Sequence, residues 1–216
     1  MLLFLHQNRF LMTASFSLSI ILFLCFSVGL DFARELVPSL RSWQPDITLN
    51  GYANALLLEP DLLNEIQEIP HVEDAYGTAY LENVPATSSR EGIDHVNLMS
   101  YTDHLLDSAA DSVVEGDLSA IYGNNGQVMT ISNKDNPLQV GDTIQIGGKE
   151  VTIACAVSDG VYSSEYSVIC STETFEWLTG ETNYSLIGIQ LDADADDETI
   201  RQINNLVGSD VIFDDL

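Results

Sequence analysis

Hydrophobic residues occur in this chain in two arrangements that predict different environments. From Phe10 to Leu30 the sequence FLMTASFSLSIILFLCFSVGL runs for 21 residues without a charge. A helix rises about 1.5 Å per residue, so a run of this length crosses a hydrocarbon core of roughly 30 Å. We therefore predict an N-terminal transmembrane helix within residues 1–30. A cleaved signal peptide, with Ser27 and Gly29 before the cut, is the alternative, although this run is longer than the usual hydrophobic segment of such peptides.

Beyond residue 45 the pattern changes between strand and helix periods. Residues 46–52 alternate polar and apolar positions, which predicts a strand. Pro60 opens a helix and Pro70 ends it. Its apolar residues recur every three positions: Leu63, Ile66 and Ile69. Residues 72–81 form the next predicted strand, so this unit has the order strand, helix, strand.

The end of the chain repeats that order. Residues 184–191 (YSLIGIQL) predict a strand, a helix starts at the acids 196–198, and residues 211–213 predict a last strand. The helix again has apolar residues on one face: Ile200, Ile203 and Leu206. The chain therefore contains one βαβ unit near each end of its polar part.

Glycines and prolines separate short apolar runs between the two units, with one helix predicted at about 103–110. We therefore predict an α+β fold behind the N-terminal transmembrane helix. Residues 46–83 and 184–216 would form a split βαβ layer, and residues 84–183 a β-rich insertion. Residues 31–45 would be a stalk or linker between the span and this domain.

The segment VGDTIQIGGKEVTI (residues 140–153) has glycines like a phosphate-binding loop and alternation like a strand. Gly147-Gly148 separates its two alternating runs. A two-residue type I′ turn needs positive φ at both central positions, which glycine adopts without steric cost. Such a turn places four apolar residues on one face: Ile144, Ile146, Val151 and Ile153. We interpret the segment as a structural hairpin and not as a nucleotide site.

Charge is divided as unevenly as hydrophobicity. The chain has 33 Asp and Glu against 7 Lys and Arg, a formal net charge of -26, and all of its acids follow residue 30. This excludes nucleic acid as a partner, since nothing would neutralise the phosphates, and it favours cationic ligands or solubility alone. Arg9 and His6 precede the predicted span. We therefore place the N-terminus in the cytoplasm and the acidic bulk outside the cell membrane.

Two of the three cysteines, Cys155 and Cys170, lie in the predicted extracytoplasmic part, and Cys25 lies in the span. An extracytoplasmic compartment permits a disulfide between the first two. Each of them also lies in an apolar, strand-like run, where a free cysteine behaves as a small hydrophobe. A disulfide and two buried thiols are thus both open alternatives.

Polar groupings that could carry chemistry have simpler structural interpretations. Residues 192–198 (DADADDE) resemble the start of a calcium loop, but position 6 is not glycine and position 12 is not glutamate. We interpret these acids as a helix cap, with weak calcium binding as the alternative. The histidines lack the spacing of zinc ligands: His71, His95 and His104. Ser158-Asp159-Gly160 lacks the flanking glycine of a nucleophile elbow, and no GxxxxGKS or GxxxxGKT loop occurs. We predict no enzyme, and assign no catalytic, cofactor-binding or metal-binding residue.

Two segments resemble the extracytoplasmic domain of FtsX/MacB-type ABC transporter permeases. Residues 113–119 (VVEGDLS) resemble an "eGR"-type segment of that family, and residues 128–157 resemble its pattern of vGdtI, a glycine turn and ftVvGV. Together with the span and the two βαβ units, the resemblance extends over nearly the whole chain. It implies that the split layer is porter-like and the insertion Sabre-like, as these subdomains are called in such permeases.

The resemblance implies a membrane permease subunit. Such a subunit couples ATP hydrolysis by a partner ATPase to conformational change outside the cell membrane, for export or handling of peptides, lipoproteins or cell-envelope substrates. The implied partners are an ABC ATPase, a second permease protomer or half, and an accessory extracytoplasmic protein. Family members carry three more spans after this domain, so we expect this chain to be a fragment. The alternative is a stand-alone, membrane-anchored or secreted acidic domain that binds cationic peptides or calcium.

Overall fold

The computed structural model describes residues 45–134, 136–158, 166–207 and 211–215. The predicted span and all but the last residue of the predicted stalk lie outside these ranges. Within the ranges, no helix combines the length and the apolar character needed to cross a membrane. The described residues form an α+β fold, as predicted, in which all strands belong to one hydrogen-bonded sheet system.

The strands, in chain order, are β1 (Ile47–Gly51), β2 (Val72–Ser88), β3 (His95–Tyr101), β4 (Val113–Gly116), β5 (Gln127–Ser132), β6 (Thr143–Ile146), β7 (Lys149–Ser158), β8 (Ser167–Ser171), β9 (Leu186–Leu191) and β10 (Val211–Asp215). The α-helices are α1 (Pro60–Gln67), α2 (Asp103–Ser108), α3 (Thr172–Thr179) and α4 (Asp197–Leu206). All four strands and both helices predicted for the two βαβ units are therefore present. Helix α2 confirms the helix predicted at about 103–110.

The two βαβ units, β1-α1-β2 and β9-α4-β10, interleave in the sheet. Their strands follow the order β10-β1-β9-β2, and each neighbouring pair is antiparallel. Each unit thus has a strand of the other unit between its own two strands, as in a split βαβ fold. The buried core of this layer takes residues from both units: Ile47, Leu49, Leu58, Leu63, Ile66, Ala75, Tyr184, Ile187, Ile189 and Ile203. Neither unit would bury these apolar side chains alone.

The other strands close into a six-stranded barrel. Hydrogen-bonded neighbours follow the circuit β2-β3-β8-β5-β7-β6, and β6 pairs back onto the last residues of β2. Side chains fill a barrel of this size, and here the core includes Ala86, Val96, Leu98, Val128, Ile144, Ile146, Val151, Ile153, Val168, Cys170 and Phe175. β4 lies outside the circuit and pairs with β7. β2, which runs to Ser88 instead of the predicted end at residue 81, belongs to both the layer and the barrel.

Helix α3 was not predicted within the β-rich insertion. The Ser171 hydroxyl oxygen accepts a hydrogen bond from the backbone N–H of Thr174 at 3.1 Å, which caps the first turn. Gly180 ends the helix with φ of 82°, a left-handed conformation that favours glycine. Between these two caps, Phe175 and Leu178 pack into the barrel core.

The structure confirms the hairpin predicted in VGDTIQIGGKEVTI. Ile146 pairs with Lys149 across Gly147-Gly148, whose φ angles are 58° and 78°. All four apolar residues of the predicted face are at most 2% exposed. The Arg90 guanidinium contacts the Asp142 carboxylate at 2.5 Å, and Asp142 also accepts the N–H of Gln139 at 2.8 Å. The segment is therefore part of the barrel wall, with its entry turn fixed by an ion pair.

Cys155 and Cys170 are free and buried. They lie on β7 and β8, which β5 separates. Met129 on β5 pairs with both Cys155 and Ile169, so those residues share one face and Cys170 faces the other way. Two strand spacings and opposite faces exceed the reach of a disulfide, which needs Cα atoms within about 7 Å. The interpretation as buried thiols is confirmed, and the alternative of a disulfide is wrong.

Candidate interaction surface

The segment from Tyr52 to Leu57 exposes apolar side chains at the end of β1. Tyr52 is 70% exposed and Leu57 is 47% exposed. The neighbouring leucines are instead anchored, because Leu56 packs against the barrel core and Leu58 is buried in the layer core. The segment therefore presents an aromatic and an aliphatic side chain from the place where layer and barrel meet.

The backbone of this segment adopts a conformation that L-residues rarely take. Ala53 and Asn54 have φ of 55° and 58°, in the left-handed region that costs a non-glycine residue roughly 1–2 kcal/mol. Gly51 permits the tight return, since a Cβ there would lie 2.2 Å from the Ala55 carbonyl oxygen. Strained backbone of this kind concentrates at binding and switching sites, where the surrounding structure maintains it.

Hydrogen bonds on both sides fix the segment to the two residues that precede β9. The N–H of Gly51 donates to the carbonyl of Ser185 at 2.9 Å. Leu58 and Tyr184 exchange backbone hydrogen bonds at 3.0 and 2.7 Å. Exposed apolar residues on such a fixed backbone lose little conformational freedom on binding, which is typical of protein interfaces. We call residues 52–57 the junction loop.

A polar cleft of about 290 Å³ lies elsewhere between layer and barrel, where α1 and β2 meet the starts of α2 and α3. The His104 Nε2 atom is 2.9 Å from the Asp74 Oδ2 atom, and the His104 ring stacks on Tyr76 with centroids 6.0 Å apart. Asp103 and Glu173 complete its charged lining. Carboxylates thus outnumber the single imidazole, and the cleft would attract cations in preference to anions.

The structure places the acidic run 192–198 at a helix start, as predicted. The Asp196 carboxylate caps α4 by accepting the N–H groups of Glu198 and Thr199 at 3.0 and 3.1 Å. Asp192 accepts the N–H of Asp194 at 2.8 Å and contacts His71 at 3.2 Å. The hydrogen bond from the Asp194 N–H, and to a smaller extent the contact with His71, hold the pKa of Asp192 below its ordinary value. The carboxylates therefore serve the local fold.

The three histidines weighed as zinc ligands do not come together. His71, His95 and His104 each contact a different carboxylate, those of Asp192, Asp94 and Asp74. Ser158 ends β7, and residues 159–165 lie outside the described ranges. Across the part of the chain that the structure describes, no group of three His, Cys, Asp or Glu side chains could hold a metal ion.

The two ends of the layer lie side by side. Ile47 at the start of β1 pairs with Asp215 at the end of β10. β2 starts beside the same end of the sheet, where Val72 pairs with Leu191, and runs from there into the barrel. The barrel and the junction loop thus lie beyond the sheet end opposite the one where β1 starts and β10 ends.

Solved structures of two transporter domains have a fold similar to that of this chain. The periplasmic region of MacB from Actinobacillus actinomycetemcomitans superimposes with a TM-score of 0.60 and 11% identity, over 78% of this chain and 87% of that chain. The extracellular domain of the noncanonic ABC-type transporter YknZ from Gram-positive bacteria gives a TM-score of 0.54 and 12% identity, over 76% of this chain and 97% of that chain. No family model and no curated protein matches the sequence. The chain therefore has the fold of the extracytoplasmic domain of MacB-type ABC transporter permeases, as the resemblance in its sequence implies.

Proposed function

We propose that this chain is the extracytoplasmic domain and first span of an ABC transporter permease of the FtsX/MacB type. The observation that carries the proposal is the fold, an interleaved layer continued by a closed barrel, which is similar overall to the MacB and YknZ domains. The adjacent ends of β1 and β10 support it, because a domain placed between two membrane spans must return to the membrane where it left. Residues 1–30 would be the first span and residues 31–45 the stalk.

In this role the domain transmits movement and performs no chemistry. A partner ABC ATPase would drive the spans, and the stalk would move the layer, which corresponds to the porter-like part. β2, common to both cores, would carry that movement into the Sabre-like barrel. The junction loop would then contact a second permease protomer or an accessory extracytoplasmic protein through Tyr52 and Leu57.

Co-purification tests this role. A permease that contains this chain is expressed with a candidate ABC ATPase, extracted in a nonionic detergent, and purified through the permease. We expect the ATPase to be retained and its hydrolysis rate to change when the permease is present. Release of the chain without detergent, or absence of a bound ATPase, would contradict the proposal and favour a stand-alone acidic domain.

The junction loop is tested in the same complex. Tyr52→Ala with Leu57→Ala should leave assembly with the ATPase intact and remove the change in hydrolysis rate that the unaltered permease causes. Val114→Ala is the matched control, since Val114 is 56% exposed on β4, outside the junction loop. An equal loss in the control would show that the loop has no particular role.

A further inference from the structure

The described domain has too few basic side chains to offset its acids. The whole chain carries 33 Asp and Glu. The Lys and Arg side chains within the described ranges are Arg90, Lys134, Lys149 and Arg201. Most described carboxylates are exposed, so these cations cannot neutralise them even if each forms an ion pair. Self-repulsion of this size opposes the compact state.

The repulsion is built into individual helices as well as the total charge. On α1, Asp61 and Glu65 lie four residues apart and Glu68 follows three residues later, all exposed. On α2, Asp103 and Asp107 are also four residues apart and exposed. Residues at these spacings are neighbours on a helix surface, and like charges there destabilise the helix.

Helix α3 also carries neighbouring like charges, whereas α4 carries an ion pair. On α3, Glu173 and Glu176 lie three residues apart, both exposed, with no Lys or Arg in the helix. On α4, Arg201 contacts Glu198 three residues before it. Among the described α-helices, α4 is thus the one with a Lys or Arg beside its acids.

We propose that this domain is built for a salt-rich medium and that its folded state loses stability at low ionic strength. Interactions between exposed charges are screened beyond a distance of about 10 Å in 0.1 M salt and about 3 Å in 1 M salt. Neighbouring carboxylates on α1, α2 and α3 therefore repel each other in dilute buffer and are largely screened at molar salt. The medium outside the membrane would supply the cations that the sequence lacks.

Thermal unfolding of the full chain tests this proposal. The protein is kept in a nonionic detergent, and the strand signal in circular dichroism at 218 nm is followed in 0.1 M and in 2 M KCl. We expect Tm to be higher by about 5 °C at the higher salt, as relief of the four like-charge helix contacts predicts for a chain of this size. A change of less than about 3 °C would overturn the proposal.

A pair of variants separates charge screening from the general exclusion of salt from protein surfaces. Glu65→Lys with Glu176→Lys places a cation beside Asp61, Glu68 and Glu173. This variant should raise Tm in 0.1 M KCl and reduce the gain from salt by about 3 °C. The control, Glu65→Asp with Glu176→Asp, keeps the charges and should keep the full gain. Equal gains in both variants would show that screening is not the cause and would overturn the proposal, whether or not an ATPase partner is found.

Discussion

Gly116, in the segment VVEGDLS, gives the sharpest test of how β4 attaches to the barrel. It has φ of +85°, and a Cβ added there would lie 2.0 Å from the Ala154 carbonyl oxygen. That oxygen accepts the N–H of Asp117 at 3.0 Å, and Ala154 is the extra residue where β5 and β7 shift register. Gly116→Ala therefore meets backbone atoms, which cannot rotate away as a side chain would.

The expected cost has two parts. Left-handed backbone costs an alanine roughly 1–2 kcal/mol, and displacing packed backbone adds roughly 1–3 kcal/mol. We expect Gly116→Ala to lower the free energy of unfolding by about 3 kcal/mol, which corresponds to a Tm decrease of about 6–12 °C for a chain of this size. The assay is thermal unfolding of the full chain in nonionic detergent at constant salt.

Gly148→Ala is the matched control. Gly148 also has positive φ, +78°, but a Cβ there would have no atom within 4 Å. Its substitution should cost the backbone part alone, about 1 kcal/mol, and lower Tm by about 2–4 °C. Equal decreases for the two variants would refute the close approach of β4 to the β7 bulge.

Further predictions concern the thiols, a tyrosine and an ion pair. Burial raises the pKa of the Cys155 and Cys170 thiols, and at Cys155 the Asp117 charge contributes as well. Iodoacetamide at pH 8 should therefore leave both thiols unmodified until the protein is unfolded, which peptide mass spectrometry would show. Burial, followed by the hydrogen bond and charge of Asp107, raises the pKa of Tyr122 to about 12. Since an unfolded tyrosine titrates near pH 10, the stabilisation that comes from the raised pKa of Tyr122 is present below pH 10 and is lost as pH rises towards 12. Tyr122→Phe should therefore reduce the loss of unfolding free energy between pH 10 and 12. Arg90→Ala should speed amide exchange at residues 139–143, and unchanged exchange would show that the ion pair does not fix that turn.

Local pattern predicted the elements whose amphipathic period is uninterrupted. The hairpin was predictable because Gly147-Gly148 lies between two alternating runs and admits one turn geometry. The two βαβ units were predictable because Leu63 and Ile66, like Ile200 and Ile203, recur on one helix face. Burying both helices on a common layer explains why the two units pack together, whereas the interleaved strand order is visible only in the structure.

Barrel closure was not predictable from local pattern. β2 carries Gly77 and Pro85 within its 17 residues, and both residues ordinarily mark the end of a strand. The structure keeps β2 continuous because β9, β3 and β6 each pair with a different part of it. Such pairing joins residues far apart in sequence, which periodicity does not report. Helix α3, by contrast, had a usable signal in Ser171 and Gly180, which bracket its eight residues.

The junction loop could not have been identified from sequence either. Nothing in the letters of Tyr52 to Leu57 distinguishes an exposed tyrosine from a buried one. The distinction arises because Leu56 and Leu58 fill two different cores and force the residues between β1 and α1 into a fixed, strained path.

One distance measurement tests most directly whether this domain transmits an ATPase cycle. In a permease that contains this chain, reconstituted in lipid with the proposed ABC ATPase, a spin label at Asn54 of each protomer reports the separation of the two junction loops by pulsed electron paramagnetic resonance. The account predicts one distance distribution without nucleotide and a shifted one with ATP and a hydrolysis-deficient ATPase, and no shift when the ATPase is omitted. Identical distributions under all three conditions would contradict it.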